Sequence, residues 1–222
     1  MPKESNKITM IKNAFIALLL ATSLAACTTT DDKAVIKTIK TQKSTEPNLE
    51  EAAELNTQLA IGYIQRQQYK PAKDKLEKSI DQNPDYLPAY KTLAYLYALL
   101  GQPEKAEEKY QEALDLKPDD PDLSNSYGAF LCSLGRYDEA QERLRVAYTD
   151  PFYETLYLAE SNAGSCYIKQ GEYKQAEALL RKSLRKEPKL TGSLISMAEV
   201  GIKTERYLMA RAYIQRYHAI KS

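Results

Sequence analysis

The chain has 222 residues, 43% hydrophobic and 27% charged, with a formal net charge of +1, ordinary for a globular protein and enough for one sizeable core. Without residues 1–26 it carries 28 basic against 29 acidic residues, a balance that leaves no surplus for phosphate neutralisation and argues against a nucleic-acid partner. Tyrosine is abundant at 17, tryptophan is absent and histidine occurs once.

Residues 1–12 carry Lys3, Lys7 and Lys12, an apolar run follows from Ala14 to Ala21, and the segment closes on Leu24-Ala25-Ala26-Cys27. A basic region, a short apolar core and small residues before a cut site describe a secretory signal over 1–26. The run is shorter than the roughly 20 apolar residues that span a bilayer. Leu-Ala-Ala-Cys also matches the bacterial lipobox residue for residue. In that class of signal the cysteine thiol receives a diacylglycerol, which makes Cys27 the expected lipid anchor. Thr28 rather than Asp follows it, as in lipoproteins sorted to the outer membrane, so the expected location is the periplasmic face of that membrane. Residues 27–49 hold few large apolar side chains and are expected to act as a flexible tether.

From about residue 50 the sequence repeats. Pro84 and Pro118 stand 34 residues apart, and the register carries on to Pro188. In a unit beginning at 53, the eighth place holds Ala60, Ala94, Gly128, Gly164 and Ala198, and the twentieth holds Ala72, Ala106, Ala140, Ala176 and Ala210. Tyr63, Tyr97, Leu131 and Tyr167 follow near the eleventh place, with Ile202 assigned there in the fifth unit. Tyr69, Pro103, Tyr137, Tyr173 and Tyr207 take the seventeenth. A period of 34 with small residues at these places is the signature of tetratricopeptide repeats, in which helices A and B of each unit pack closely wherever only a small side chain fits. The tyrosines are expected to fill the space above that contact.

Five repeats are expected, over about 53–86, 87–120, 121–156, 157–190 and 191–222. They amount to an all-α, right-handed superhelix of ten antiparallel helices within a domain spanning 50–222. Asn48 with Glu51 predicts the first helix start, and Asp120-Pro121 predicts another. Gly101, Gly135 and Gly171 predict the turns between helices. The step from the third to the fourth repeat is 36 residues, with Asp150-Pro151-Phe152-Tyr153 at the junction.

Little here suggests chemistry. His218 has no second histidine or cysteine near it for a metal, and the carboxylates lie among lysines and arginines on solvated helix faces. No nucleophile elbow, phosphate loop or catalytic triad pattern occurs. The expectation is no catalytic residue, no metal, no cofactor and no small-molecule substrate. Cys132 and Cys166 are 34 residues apart and take nearly equivalent heights on neighbouring A helices. In an oxidising compartment they are a disulfide candidate, the alternative being two buried apolar fillers. Places 2, 5, 9 and 12 of each A helix are expected to line a concave protein-binding groove. Its candidates are Thr57, Ile61, Ile64, Lys91, Tyr95, Asn125, Ala129, Ser161, Ser165, Ile168 and Glu199, with Ile61, Ile64 and Tyr95 as an apolar stretch.

Three stretches carry a more specific likeness. They are Tyr127-Gly128-Ala129-Phe130-Leu131-Cys132, Asn162-Ala163-Gly164-Ser165-Cys166, and Ala210-Arg211-Ala212-Tyr213-Ile214-Gln215-Arg216-Tyr217. With the lipobox, they resemble the type IV pilus biogenesis/stability lipoproteins, the PilW/PilF pilotins. The resemblance implies a binding module that helps the outer-membrane secretin localise or multimerise, and through it pilus stability and twitching motility. It also implies that Cys132 and Cys166 form the disulfide pair. Members of that family generally continue into a sixth repeat, whereas this sequence stops at Ser222, as a shorter member or a truncated sequence would. The rival expectation is a general periplasmic adaptor lipoprotein, serving barrel assembly or scaffolding peptidoglycan hydrolases.

Overall fold

The computed structural model describes residues 48–221. The expected signal peptide, the Cys27 anchor and the tether before Asn48 lie outside the described residues. Among these residues the chain forms ten helices and no strand. They are α1 (Leu49–Gln65), α2 (Tyr69–Gln82), α3 (Leu87–Leu99), α4 (Pro103–Leu116) and α5 (Pro121–Ser133), followed by α6 (Tyr137–Thr149), α7 (Leu156–Gln170), α8 (Tyr173–Lys186), α9 (Thr191–Lys203) and α10 (Tyr207–Lys221). Odd and even helices pair as antiparallel hairpins, and each odd helix also packs beside the next odd one. This is the all-α tetratricopeptide superhelix.

Local chemistry sets the helix ends. Asn48 Oδ1 accepts the free backbone N–H groups of Glu50 and Glu51 at 3.2 and 3.3 Å, and Asp120 Oδ1 accepts that of Leu123 at 2.9 Å, each satisfying donors that have no partner within the helix. Pro103 and Pro121 take the first helical position of α4 and α5, where the missing N–H costs nothing. The turn between A and B helices is the same five times over. The residue at place 15 is left-handed in each: Gln67 (φ 59°), Gly101 (67°), Gly135 (79°), Gly171 (83°) and Glu205 (60°). The next residue then donates its N–H back five residues, as Gln68 to Tyr63, Gln102 to Tyr97, Arg136 to Leu131, Glu172 to Tyr167 and Arg206 to Gly201, at 2.7 to 3.1 Å. That bond closes the helix end. It also corrects the fifth repeat: its eleventh place is Gly201, and Ile202 stands one residue on, half exposed.

Each hairpin closes where small residues meet. Ala60 and Ala94 are fully buried, as are Ala72, Ala106, Ala140 and Ala176. A Cβ on Gly128 would lie 2.6 Å from Leu144 Cγ and 3.0 Å from the Ala140 carbonyl oxygen; one on Gly164 would lie 2.7 Å from Leu180 Cγ. At such separations a methyl group has no room. In the fifth repeat the tightest approach moves to Gly201, whose Cβ would meet the Ala210 backbone nitrogen at 2.8 Å. Tyr69, Tyr137 and Tyr173 pack half-buried against the core, whereas Tyr207 is largely exposed.

The core runs between the helix layers. One cluster extends from Ala60 to Leu179 and includes the stacked pair Tyr110 and Tyr127, with ring centroids 5.0 Å apart. A second gathers Ile168, Leu180, Leu184, Leu194, Met197 and Val200 at the carboxy-terminal end. Between them the inserted residues form their own cluster, in which Tyr153 packs with Ala147 and Ala159. Cys132 of α5 and Cys166 of α7 are joined by a disulfide, with Cα atoms 5.9 Å apart and both side chains buried.

Candidate functional site

The A helices α1, α3, α5 and α7 line a concave pocket of about 680 Å³. Its apolar wall comes from Ile61 and Ile64 on α1 and from Tyr95 and Leu99 on α3; Ile61, Tyr95 and Leu99 are exposed although large and apolar. The lining also holds Lys91 on α3, Asn125 and Ala129 on α5, and Asn162 on α7. The pocket exists because these helices lie side by side, with place 9 (Ile61, Tyr95 and Ala129) on their concave side.

A polar relay links three of its lining residues, Lys91, Asn125 and Asn162, to Asp122 and Tyr153. Lys91 pairs with the Asp122 carboxylate, and the same carboxylate accepts the Tyr153 hydroxyl at 3.0 Å. Asn125 Nδ2 reaches the Tyr153 oxygen at 3.5 Å, and Asn162 Nδ2 donates to Asn125 Oδ1 at 2.9 Å. Burial, reinforced by the Asp122 charge, raises the Tyr153 phenol above its ordinary pKa, so it stays protonated and donates at neutral pH. The two-residue insertion therefore supplies a buried tyrosine that holds Asp122 in place. The Lys91 cation is answered by a carboxylate, which leaves the pocket a surface of apolar faces and side-chain amides.

Of the groove residues expected from the repeat register, the structure brings Ile61, Ile64, Lys91, Tyr95, Asn125 and Ala129 into one pocket. Others are spent on packing. Thr57 is buried, its hydroxyl bonded to Ser79 at 2.9 Å, and Ser79 in turn donates to the Ala53 carbonyl. Ser161 is buried too, accepting from Ser193 at 2.8 Å in a ladder that continues to Ser183. Ile168 belongs to the second core cluster. These three are corrected from groove residues to internal ones, because place 5 or 12 turns inward wherever a hydroxyl partner or an apolar neighbour is within reach. Ser165 is half-buried against Ser196 at 2.9 Å, beyond the pocket, and Glu199 is exposed farther along. Leu99 and Asn162 escaped the sequence reading because they fall one place past the expected positions.

Chemistry beyond binding has little to work with. Among the described residues no group of three His, Cys, Asp or Glu could hold a metal ion, and no helix is long and apolar enough to cross a membrane. His218 is exposed, its ring edge-on to Tyr217. The buried carboxyl of Glu160 faces Lys182, Arg185 and Lys186 across a separate recess outside the pocket.

Comparison with known proteins agrees with this geometry. Tetratricopeptide repeat family models match residues 75–108, 101–159 and 161–191. The type IV pilus assembly protein PilF of Pseudomonas aeruginosa is 31% identical over 204 residues, 92% of this chain and 78% of that protein. Among solved structures, that of PilW, described as a widely conserved type IV pilus biogenesis factor, superposes with a TM-score of 0.71 at 33% identity, covering 75% of this chain and 76% of its own. A Pseudomonas aeruginosa PilF structure gives 0.71 at 30% identity over 77% of each chain. MamA, at 15% identity and a TM-score of 0.56, shares the fold alone.

Proposed function

Because this chain belongs to the type IV pilus assembly family of PilF and PilW, we propose that it serves pilus biogenesis as a non-enzymatic, protein-binding lipoprotein. In this reading Cys27 carries the lipid, and the domain hangs at the periplasmic face of the outer membrane. Its concave pocket takes a segment of the pilus secretin and so supports secretin localisation and multimerisation. The observation that carries the reading is the pocket itself: exposed Tyr95, Leu99 and Ile61 facing side-chain amides on the inner curve of a fold built to bind proteins. An aromatic anchor beside amides suits an extended or amphipathic peptide segment.

Deletion of the gene, complemented in turn by wild type, Tyr95→Ala and Cys27→Ser, tests it. Loss of secretin multimers on deletion, with partial loss in both variants, is the expected outcome. Intact multimers and normal piliation without the protein overturn the proposal. Radiolabelled palmitate that fails to enter wild type, or a Cys27→Ser protein that stays in the membrane fraction, overturns the anchor.

A further inference from the structure

Place 4 of the A helix is buried in every repeat: Asn56, Tyr90, Ser124, Glu160 and Leu194 are at most 8% exposed. Only the fourth repeat puts a carboxyl there. In the first repeat place 4 meets place 30 across the hairpin, where Asn56 Nδ2 donates to Gln82 Oε1 at 2.6 Å. The same two places in the fourth repeat hold Glu160 and Lys186. These opposite charges do not close on each other. Instead a recess of about 310 Å³ opens between them, walled by Leu156 and Glu160 of α7 and by Lys182, Arg185 and Lys186 of α8.

The recess is polar and unsatisfied at two depths. Within it Glu160 is only 6% exposed, and its carboxyl has no hydrogen bond or ion pair among the described residues. A buried carboxylate without a partner is costly. At the mouth, Lys182, Arg185 and Lys186 are exposed and also unpaired among the described residues, whereas their neighbour Arg181 is held by Glu177 at 2.7 Å. Burial lifts the Glu160 carboxyl above the ordinary range, and the three cations pull against it without reaching it. The site thus lacks a cation inside and an anion outside.

A simple anion satisfies the mouth alone and crowds a second negative charge against Glu160. A simple amine satisfies the interior and leaves the three cations unanswered. A zwitterion answers both. Three cations facing one carboxylate leave a surplus of two positive charges, which a phosphate, with three acceptor oxygens and close to two negative charges as a monoester, balances better than a carboxylate does. The Arg185 guanidinium also offers the planar fork that matches phosphate oxygens. A short spacer between the ligand's two charges suits a site whose bases stand off from its carboxylate.

We infer that this recess binds a phosphoethanolamine group, with the ammonium against Glu160 and the phosphate among Lys182, Arg185 and Lys186. The group occurs both as a free phosphomonoester and as a phospholipid headgroup, and the chemistry recognised is shared. The recess lies outside the concave pocket, so the inference stands whether or not that pocket takes a secretin segment.

Isothermal titration of the purified full chain, in dodecyl maltoside and phosphate-free buffer, tests this with O-phosphoethanolamine, inorganic phosphate and ethanolamine as probes. Phosphoethanolamine is expected to bind at least about tenfold tighter than phosphate, the difference one charged contact makes, and ethanolamine is expected to give no heat. Glu160→Gln, close to isosteric, is expected to bind phosphoethanolamine and phosphate alike. Arg185→Ala, on the exposed rim, is expected to weaken both by about tenfold. Wild type that does not bind phosphoethanolamine overturns the inference. So does wild type that binds phosphate equally well, which marks a plain anion site, and so does a Glu160→Gln protein that keeps the tenfold preference. Micelles doped with phosphatidylethanolamine, compared with phosphatidylcholine, identify the source. Selective displacement of the soluble compound supports the inference with a lipid headgroup as ligand, and retention of the soluble compound supports it with the free phosphomonoester.

Discussion

Gln67 and Glu205 hold the same left-handed backbone conformation, φ 59° and 60°, at the place where the three internal repeats have glycine. The turn geometry is thus imposed by the stack even where the side chain opposes it. A Cβ in this conformation costs about 1–2 kcal/mol, while glycine adds back about 0.5–1 kcal/mol of unfolded-state entropy. Gln67→Gly and Glu205→Gly are each expected to stabilise the domain by about 0.5–1 kcal/mol on that balance. Urea unfolding followed by circular dichroism measures this; a lowered midpoint in both variants would refute it.

Two helix glycines should respond in opposite senses to the same change. Gly128→Ala drives a methyl group into Leu144 and the Ala140 carbonyl, so it is expected to cost about 1–3 kcal/mol through overpacking. Gly62 lies within α1 with nothing near its absent Cβ. Gly62→Ala is therefore expected to stabilise by about 0.5–1 kcal/mol through helix propensity. The pair shares one chemistry, so thermal melts of both separate contact from propensity.

The Cys132–Cys166 bond closes a 34-residue span between α5 and α7. By loop-closure entropy it contributes about 3–4 kcal/mol. Cys132→Ala with Cys166→Ala is expected to lower the unfolding midpoint accordingly, and dithiothreitol is expected to have no further effect on that variant. Thiol titration of the denatured wild type before and after reduction checks that the two sulfurs are paired.

Stability should also depend on pH through Glu160. Burial holds its carboxyl above the ordinary value of 4.5, with Lys182, Arg185 and Lys186 pulling the other way. A carboxyl raised on folding favours the folded state while protonated, and that contribution is whole below the ordinary value and fades as pH climbs through the raised one. Relative to wild type, Glu160→Gln should therefore gain stability as pH rises from 4 to 7. A difference that is flat over that range, read from urea midpoints, would show that the ionised carboxyl is well solvated.

Tyr95 is half exposed at the mouth of the pocket, so truncating it should spare the fold. Tyr95→Ala is expected to weaken partner binding by about 2 kcal/mol, roughly 30-fold, with the unfolding midpoint unchanged. Ser165→Ala, beyond the pocket, should leave affinity within twofold. Isothermal titration against the partner's bound segment distinguishes the two.

The repeat, the helix pairing and the turns were legible in residues 50–222 because each rests on local or strictly periodic physics. Small residues recur where backbones touch, prolines stop B helices, and a glycine ends three of the five A helices, whereas the left-handed Gln67 and Glu205 carried no such signal. What only the tertiary structure decided is which concave-side residues remain available. Thr57 and Ser161 look like Lys91 in register, yet hydroxyl partners 22 to 32 residues away draw them inside. The inserted Tyr153 braces Asp122, the partner of Lys91, and Asn162 takes the place that register had given to Ser161. Periodicity fixes which way a side chain points. Whether it ends in solvent or in a hydrogen bond depends on neighbours that only packing brings near.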